Sequence, residues 1–128
     1  MAQRRLIAFD ADDLAVISTH LQDAAVRATN IRWFSDEHRL VLGLERLDWD
    51  GLIDCGDCSQ RLNSALRFER VMACQARGID VAATDPFHLL GIEFEPQDEP
   101  GGTVTLIFAS GAAMRLEIEC IECELADI

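Results

Sequence analysis

The chain has 128 residues and carries 23 Asp and Glu against 11 basic residues, all of them arginine, for a formal net charge of −12. Without lysine there is no Walker-type phosphate loop, no Schiff base and no protein-kinase site. Without tyrosine there is no phenolic acid–base group, and the acidity argues against nucleic acid and anionic membrane as partners.

Residues 1–128 read as a single domain, long enough to bury a core without staples. The apolar stretch at residues 6–9 is too short for a signal peptide, and no run approaches the ~18 residues of a membrane span. A cytoplasmic protein is expected, with its five cysteines as free thiols.

Residues 6–9 suit a short strand. Asp10 is a helix N-cap, and Asp12 and Asp13 complement the helix dipole. Leu14, Ile17, Leu21 and Ala25 recur at helical spacing, which predicts an amphipathic helix over 11–24. The period then falls to two. Residues 31–34 and the alternating Leu40, Leu42 and Leu44 flank the polar turn Ser35-Asp36-Glu37-His38, so a hairpin is expected. Residues 47–63 hold Asp48, Asp50, Asp54 and Asp57 with two glycines and read as a long loop. Alternation resumes at Leu66 and Phe68 and continues, with a phase slip, at Val71 and Ala73, which suggests a bulge. A meander is predicted over 90–120, with Leu90, Ile92 and Phe94, then Val104, Leu106 and Phe108, then Met114, Leu116, Ile118 and Cys120. The tail 120–128 suits either a strand or a short helix. The sum is an α+β fold: one N-terminal helix packed on a curled, mostly antiparallel sheet or partial barrel of about six or seven strands.

Several of these segments together resemble one family. They are Leu6-Ile7-Ala8-Phe9-Asp10-Ala11-Asp12-Asp13-Leu14, Leu21-Gln22-Asp23-Ala24, Leu66-Arg67-Phe68-Glu69-Arg70-Val71, Arg77-Gly78-Ile79-Asp80 and Arg115-Leu116-Glu117-Ile118-Glu119-Cys120-Ile121-Glu122. The chain resembles, over nearly its whole length, the bacterial family of short proteins catalogued as domain of unknown function 2948. The resemblance implies a stand-alone cytoplasmic protein and no particular activity, cofactor or catalytic motif.

Among chemistry-bearing patterns, Cys55-Gly56-Asp57-Cys58 and Cys120-Ile121-Glu122-Cys123 are two CxxC pairs with the ligand types of tetrahedral zinc. Residues three apart in a strand point to opposite faces, and 61 residues intervene between the pairs, against about 15–20 in zinc ribbons. The other reading makes Cys120 a small core residue and Cys55 and Cys58 exposed thiols. Cys55 and Cys58 also suit a redox disulfide, but no helix start or βαβ pattern supports one. His20, His38 and His88 fall on a helix, a turn and a Pro-marked loop and read as separate surface residues. Glu93, Glu95, Glu117 and Glu119 suit a hard cation, or a solvated sheet face spaced by Arg67, Arg70 or Arg115. Asp48, Asp50, Asp54 and Asp57 do not follow the EF-hand order. Trp33 reads as core, and Trp49 as a loop residue closing on the core or marking a contact. There is no Gly-x-Ser-x-Gly and no His-Glu-x-x-His.

The expected function is therefore a small non-catalytic module that binds a protein partner or a second copy of itself. Its acidity favours an Arg- or Lys-rich partner surface. The alternatives are a small-ligand binder or enzyme with a pocket under the 47–63 loop, and a protein stabilised by zinc through the two CxxC pairs. No other cofactor is expected.

Overall fold

The computed structural model describes residues 5–47, 61–80, 82 and 84–128. In chain order the elements are β1 (Arg5–Ala8), α1 (Ala11–His20), β2 (Ala24–Phe34), β3 (Arg39–Leu47), β4 (Arg61–Phe68), β5 (Val71–Arg77), β6 (Phe87–Pro96), β7 (Gly102–Phe108), β8 (Ala113–Ile118) and β9 (Cys123–Asp127). A short 3₁₀ turn, Ser35–Glu37, joins β2 to β3.

Local chemistry starts the helix where the sequence places it. Asp10 is extended, and its Oδ1 accepts the Asp13 backbone N–H at 2.8 Å. The helix stops at His20, short of the expected residue 24. Leu21 closes the last turn on Ile17 and Ser18, Asp23 adopts a left-handed φ of 64°, and the Asp23 N–H donates to the Leu89 carbonyl at 2.8 Å. The chain is thereby drawn out of the helix into β2.

All pairings are antiparallel, in the order β1-β9-β4-β3-β2-β6-β7-β8-β5. This nine-stranded sheet corrects the expectation of six or seven strands in a helix-packed partial barrel, although the class remains α+β. Two elements account for the difference. The tail is a strand, β9, which slots between β1 and β4. The phase slip between Phe68 and Val71 is a strand boundary and not merely a bulge. Arg70 takes a φ of 60° there, β4 stays beside β3 and β9, and β5 crosses to the far edge against β8.

Nor does the helix alone cover the sheet. Only Leu14 and Ile17 of α1, with Leu21 just beyond it, are buried. The rest of the cover comes from the sheet itself. Its two parts meet at a short seam, Ala24↔Leu89, Ala25↔His88 and Val26↔Phe87, and both feed one apolar cluster. On β3 the buried Leu40, Leu42 and Leu44 stand opposite Phe68, Leu66 and Ser64 of β4. Those residues in turn oppose Cys123, Leu125 and Asp127 of β9. From β7 and β8 come Val104, Leu106, Phe108, Leu116 and Ile118. Each buried large aliphatic or aromatic side chain contributes roughly 1.5–3 kcal/mol. Gly102 begins β7 because a Cβ there would strike the Glu95 carbonyl oxygen and the Phe94 ring.

Candidate functional site

The polar outer face of β4-β3-β2-β6 carries a groove of about 580 Å³. Its origin is an irregularity in β2. Between the pairs Val26↔Leu44 and Ile31↔Leu42, β2 advances five residues while β3 advances two. The surplus residues bulge out, as extra residues in a ladder must. Arg27 and Asn30 therefore become a wall, and the Arg27 guanidinium is held by Nη1 donating to the Thr84 carbonyl at 2.7 Å. The floor is low because Ala25 and Gly43 are small, and a Cβ on Gly43 would lie 3.2 Å from the Asn30 Cβ. The row His88–Ala25–Glu45–Asn63 crosses four strands in register, and Arg61 stands one pleat beyond Asn63. Pro86, Leu44, Ser64 and Ile128 are the other described residues that line it. His88 Nδ1 lies 3.5 Å from Asp23 Oδ1 without hydrogen-bond geometry.

Beneath this groove the core holds a polar cluster. Arg46 Nε and Nη2 donate to Asp127 Oδ1 and Oδ2 at 2.9 and 2.7 Å. Ser64 Oγ donates to Asp127 Oδ1 at 2.6 Å, and Arg46 Nη1 donates to the Leu47 carbonyl at 3.2 Å. The Arg46 and Asp127 side chains are only 2% and 4% exposed. The planar guanidinium fork matches both carboxylate oxygens, which compensates the desolvation of two charges. Sequence reasoning overlooked this pair. The signal was present on one side, since the Leu40, Leu42, Leu44 alternation runs on to Arg46.

A second charged region runs over the outside of β3, β4, β9 and β1. Arg39 bridges Glu37 and Glu69 at 3.1 and 2.7 Å, Arg67 reaches Glu69 and Glu124 at 3.2 and 3.5 Å, and Arg5 binds Glu124 at 2.8 Å. These arginines are 39–68% exposed, so each pair contributes little, about 0–1 kcal/mol. Here Arg67 does space carboxylates, though not the four expected.

Of those four, Glu119 lies beyond the end of β8, and the other three fall in two rows that each pass through a threonine of β7. Glu93 faces Thr105, which faces Arg115, and Glu95 faces Thr103, which faces Glu117. The three histidines occupy separate elements. His20 Nδ1 meets the Val16 carbonyl at 3.0 Å on α1, His38 sits in the β2–β3 turn, and His88 edges the groove. Among the described residues, no group of three or more His, Cys, Asp or Glu side chains is placed to hold a metal. Cys55, Cys58, Trp49, Asp48, Asp50, Asp54 and Asp57 lie outside the described residues. Of the second CxxC pair, Cys123 is the core residue, and Cys120, expected in the core, is partly exposed. Burial pushes the Cys123 thiol well above its ordinary range, opposing the thiolate that a metal ligand must supply. Trp33 is not core but 37% exposed at the end of β2.

The fold and its surfaces define an acidic, sheet-rich α+β protein that, among the described residues, carries a polar groove on the outside of the sheet over an apolar interior holding a buried arginine–aspartate pair. Among the described residues, no helix is long and apolar enough to cross a membrane. The chain belongs to the family described as Protein of unknown function (DUF2948), whose model matches residues 4–128. No curated protein and no solved structure matches the chain.

Proposed function

We propose that this protein is a non-catalytic interaction module, acting in the cytoplasm, that pairs with a protein strand or a second copy of itself by strand addition at β5. The observation that carries this reading is the character of the sheet's two edges. At one, β1 has four residues and is braced by the Arg5–Glu124 ion pair. At the other, β5 has seven residues, Val71-Met72-Ala73-Cys74-Gln75-Ala76-Arg77, with a single charge and no proline. Edge strands are ordinarily blunted by charge, proline or extreme shortness, because their unpaired N–H and C=O groups template pairing. The Val71 N–H donates to the His38 carbonyl and the ladder is irregular between Val71 and Ala73, but between there and Arg77 the strand carries no charge and no proline. Strand addition supplies affinity through main-chain hydrogen bonds, and neighbouring side chains supply selection. The net charge of −12 steers basic partners towards the chain.

The test is native mass spectrometry of untagged protein purified without chelator, together with capture from native lysate. A dimer or a retained partner protein is expected, lost in Met72→Lys/Gln75→Lys, which charges two exposed positions of β5 while circular dichroism stays unchanged. A bare monomer at every concentration, with no protein captured, refutes the reading. So does a complex indifferent to the β5 substitutions.

A further inference from the structure

We propose that the outer-face groove between the β2 bulge and β4 binds a small molecule bearing a carboxylate or phosphate group. The argument rests on how this chain uses its arginines. Carboxylates outnumber arginines 23 to 11, and Arg5, Arg39, Arg46, Arg67 and Arg70 are each paired with one. Arg27, Arg32, Arg61, Arg77 and Arg115 are not paired with any carboxylate among the described residues, and of these Arg27 and Arg61 come together in one groove. Arg27 is oriented by a neutral acceptor, the Thr84 carbonyl. Its guanidinium is thus held in place without being neutralised, which is the preparation an anion site needs. The side-chain amides of Asn30 and Asn63 and the ring of His88 add donors along the same groove.

The floor sets the rest of the ligand's chemistry. Ala25 and Gly43 leave room for an oxyanion to lie close to the sheet. Glu45 stands between Ala25 and Asn63 in the row that crosses the strands. Its carboxylate repels a bare anion and accepts from a hydrogen-bond donor, so the preferred ligand carries an N–H or hydroxyl next to its oxyanion. A volume of about 580 Å³ lies in the range of small-molecule sites.

The test is a chemical-shift titration of the ¹⁵N-labelled full chain with inorganic phosphate and, separately, with acetate. Saturable shifts are expected at Ala25, Asn30, Gly43 and Asn63. Arg61→Gln should weaken the response by about tenfold, the scale of one charge-assisted hydrogen bond. Glu45→Gln should strengthen binding of both probes, because it removes the repulsion and keeps the side-chain shape. Arg115→Gln, at an arginine on β8 that has no carboxylate partner among the described residues and lies outside the groove, should leave the response unchanged. Whichever of phosphate and acetate binds more tightly identifies the oxyanion. The proposal is overturned by the absence of saturable shifts at these amides, by an equal loss in Arg115→Gln, or by weaker binding in Glu45→Gln. None of these results bears on β5, so strand addition stands or falls separately.

Discussion

Replacing Arg46 with methionine is the sharpest perturbation of this fold. Arg46 and Asp127 lie 81 positions apart in sequence and meet through two hydrogen bonds of 2.9 and 2.7 Å in the core. Methionine keeps the length and the apolar stem of the arginine but leaves the Asp127 carboxylate, 4% exposed, without its counter-charge. Breaking a buried ion pair on one side costs about 3–5 kcal/mol, because the remaining carboxylate, though still accepting from Ser64 Oγ, loses the opposite charge that offsets its desolvation. For a chain of this length that corresponds to a fall in Tm of roughly 10–20 °C. Urea denaturation followed by circular dichroism measures the free energy directly. The companion variant Arg46→Met/Asp127→Leu/Ser64→Ala replaces the whole cluster with apolar groups and should recover most of the loss, since a well-packed apolar substitute is often neutral or better. A loss below about 1 kcal/mol in Arg46→Met would show that water reaches the carboxylate. A triple variant no more stable than Arg46→Met would show that the cluster stabilises the fold by something other than charge compensation. Either outcome refutes the reasoning.

Further outcomes follow from the same structure. Asp10→Ala removes the acceptor of the Asp13 N–H and should cost about 1 kcal/mol in urea denaturation. Gly102→Ala should be severely destabilising or insoluble, because the new Cβ meets the Glu95 backbone oxygen, which has no side-chain freedom to move away. The Cys123 thiol is raised by burial from an ordinary value of 9.0. The unfolded chain therefore releases that proton first as pH rises, so stability is intact below pH 9.0 and falls above it, by up to about 1.4 kcal/mol per pH unit. Cys123→Ala should lessen that slope, leaving the smaller part due to Cys74, whose thiol burial also raises, while lowering stability at neutral pH, as denaturation curves at several pH values would show. With iodoacetamide on native protein, Cys120 should react ahead of Cys123, read by peptide mass spectrometry. Equal rates would contradict the burial that separates them.

The sequence by itself determined which side of several strands faces inward, though not of β6, where a register shift beside Leu90 buries Leu89 and leaves Leu90 exposed. The period-two runs at Leu40, Leu42 and Leu44, at Val104, Leu106 and Phe108, and at Met114, Leu116 and Ile118 all point into the core. Asp10 marked the start of the helix, and the turn at 35–38 marked the β2–β3 hairpin. These features are legible because alternation, capping and turn chemistry act over a few neighbouring residues. Tertiary structure decided who lies beside whom. That β9 enters between β1 and β4, and that β5 leaves β4 for the opposite edge, depends on contacts across most of the chain. No local pattern records those contacts. The same holds for chemistry. Arg46 could be placed on the inner face by counting, but only the β4–β9 pairing delivers Asp127 to meet it. The groove arises because β2 spends five residues where β3 spends two. A register mismatch belongs to a pair of strands, so neither strand's own sequence contains it.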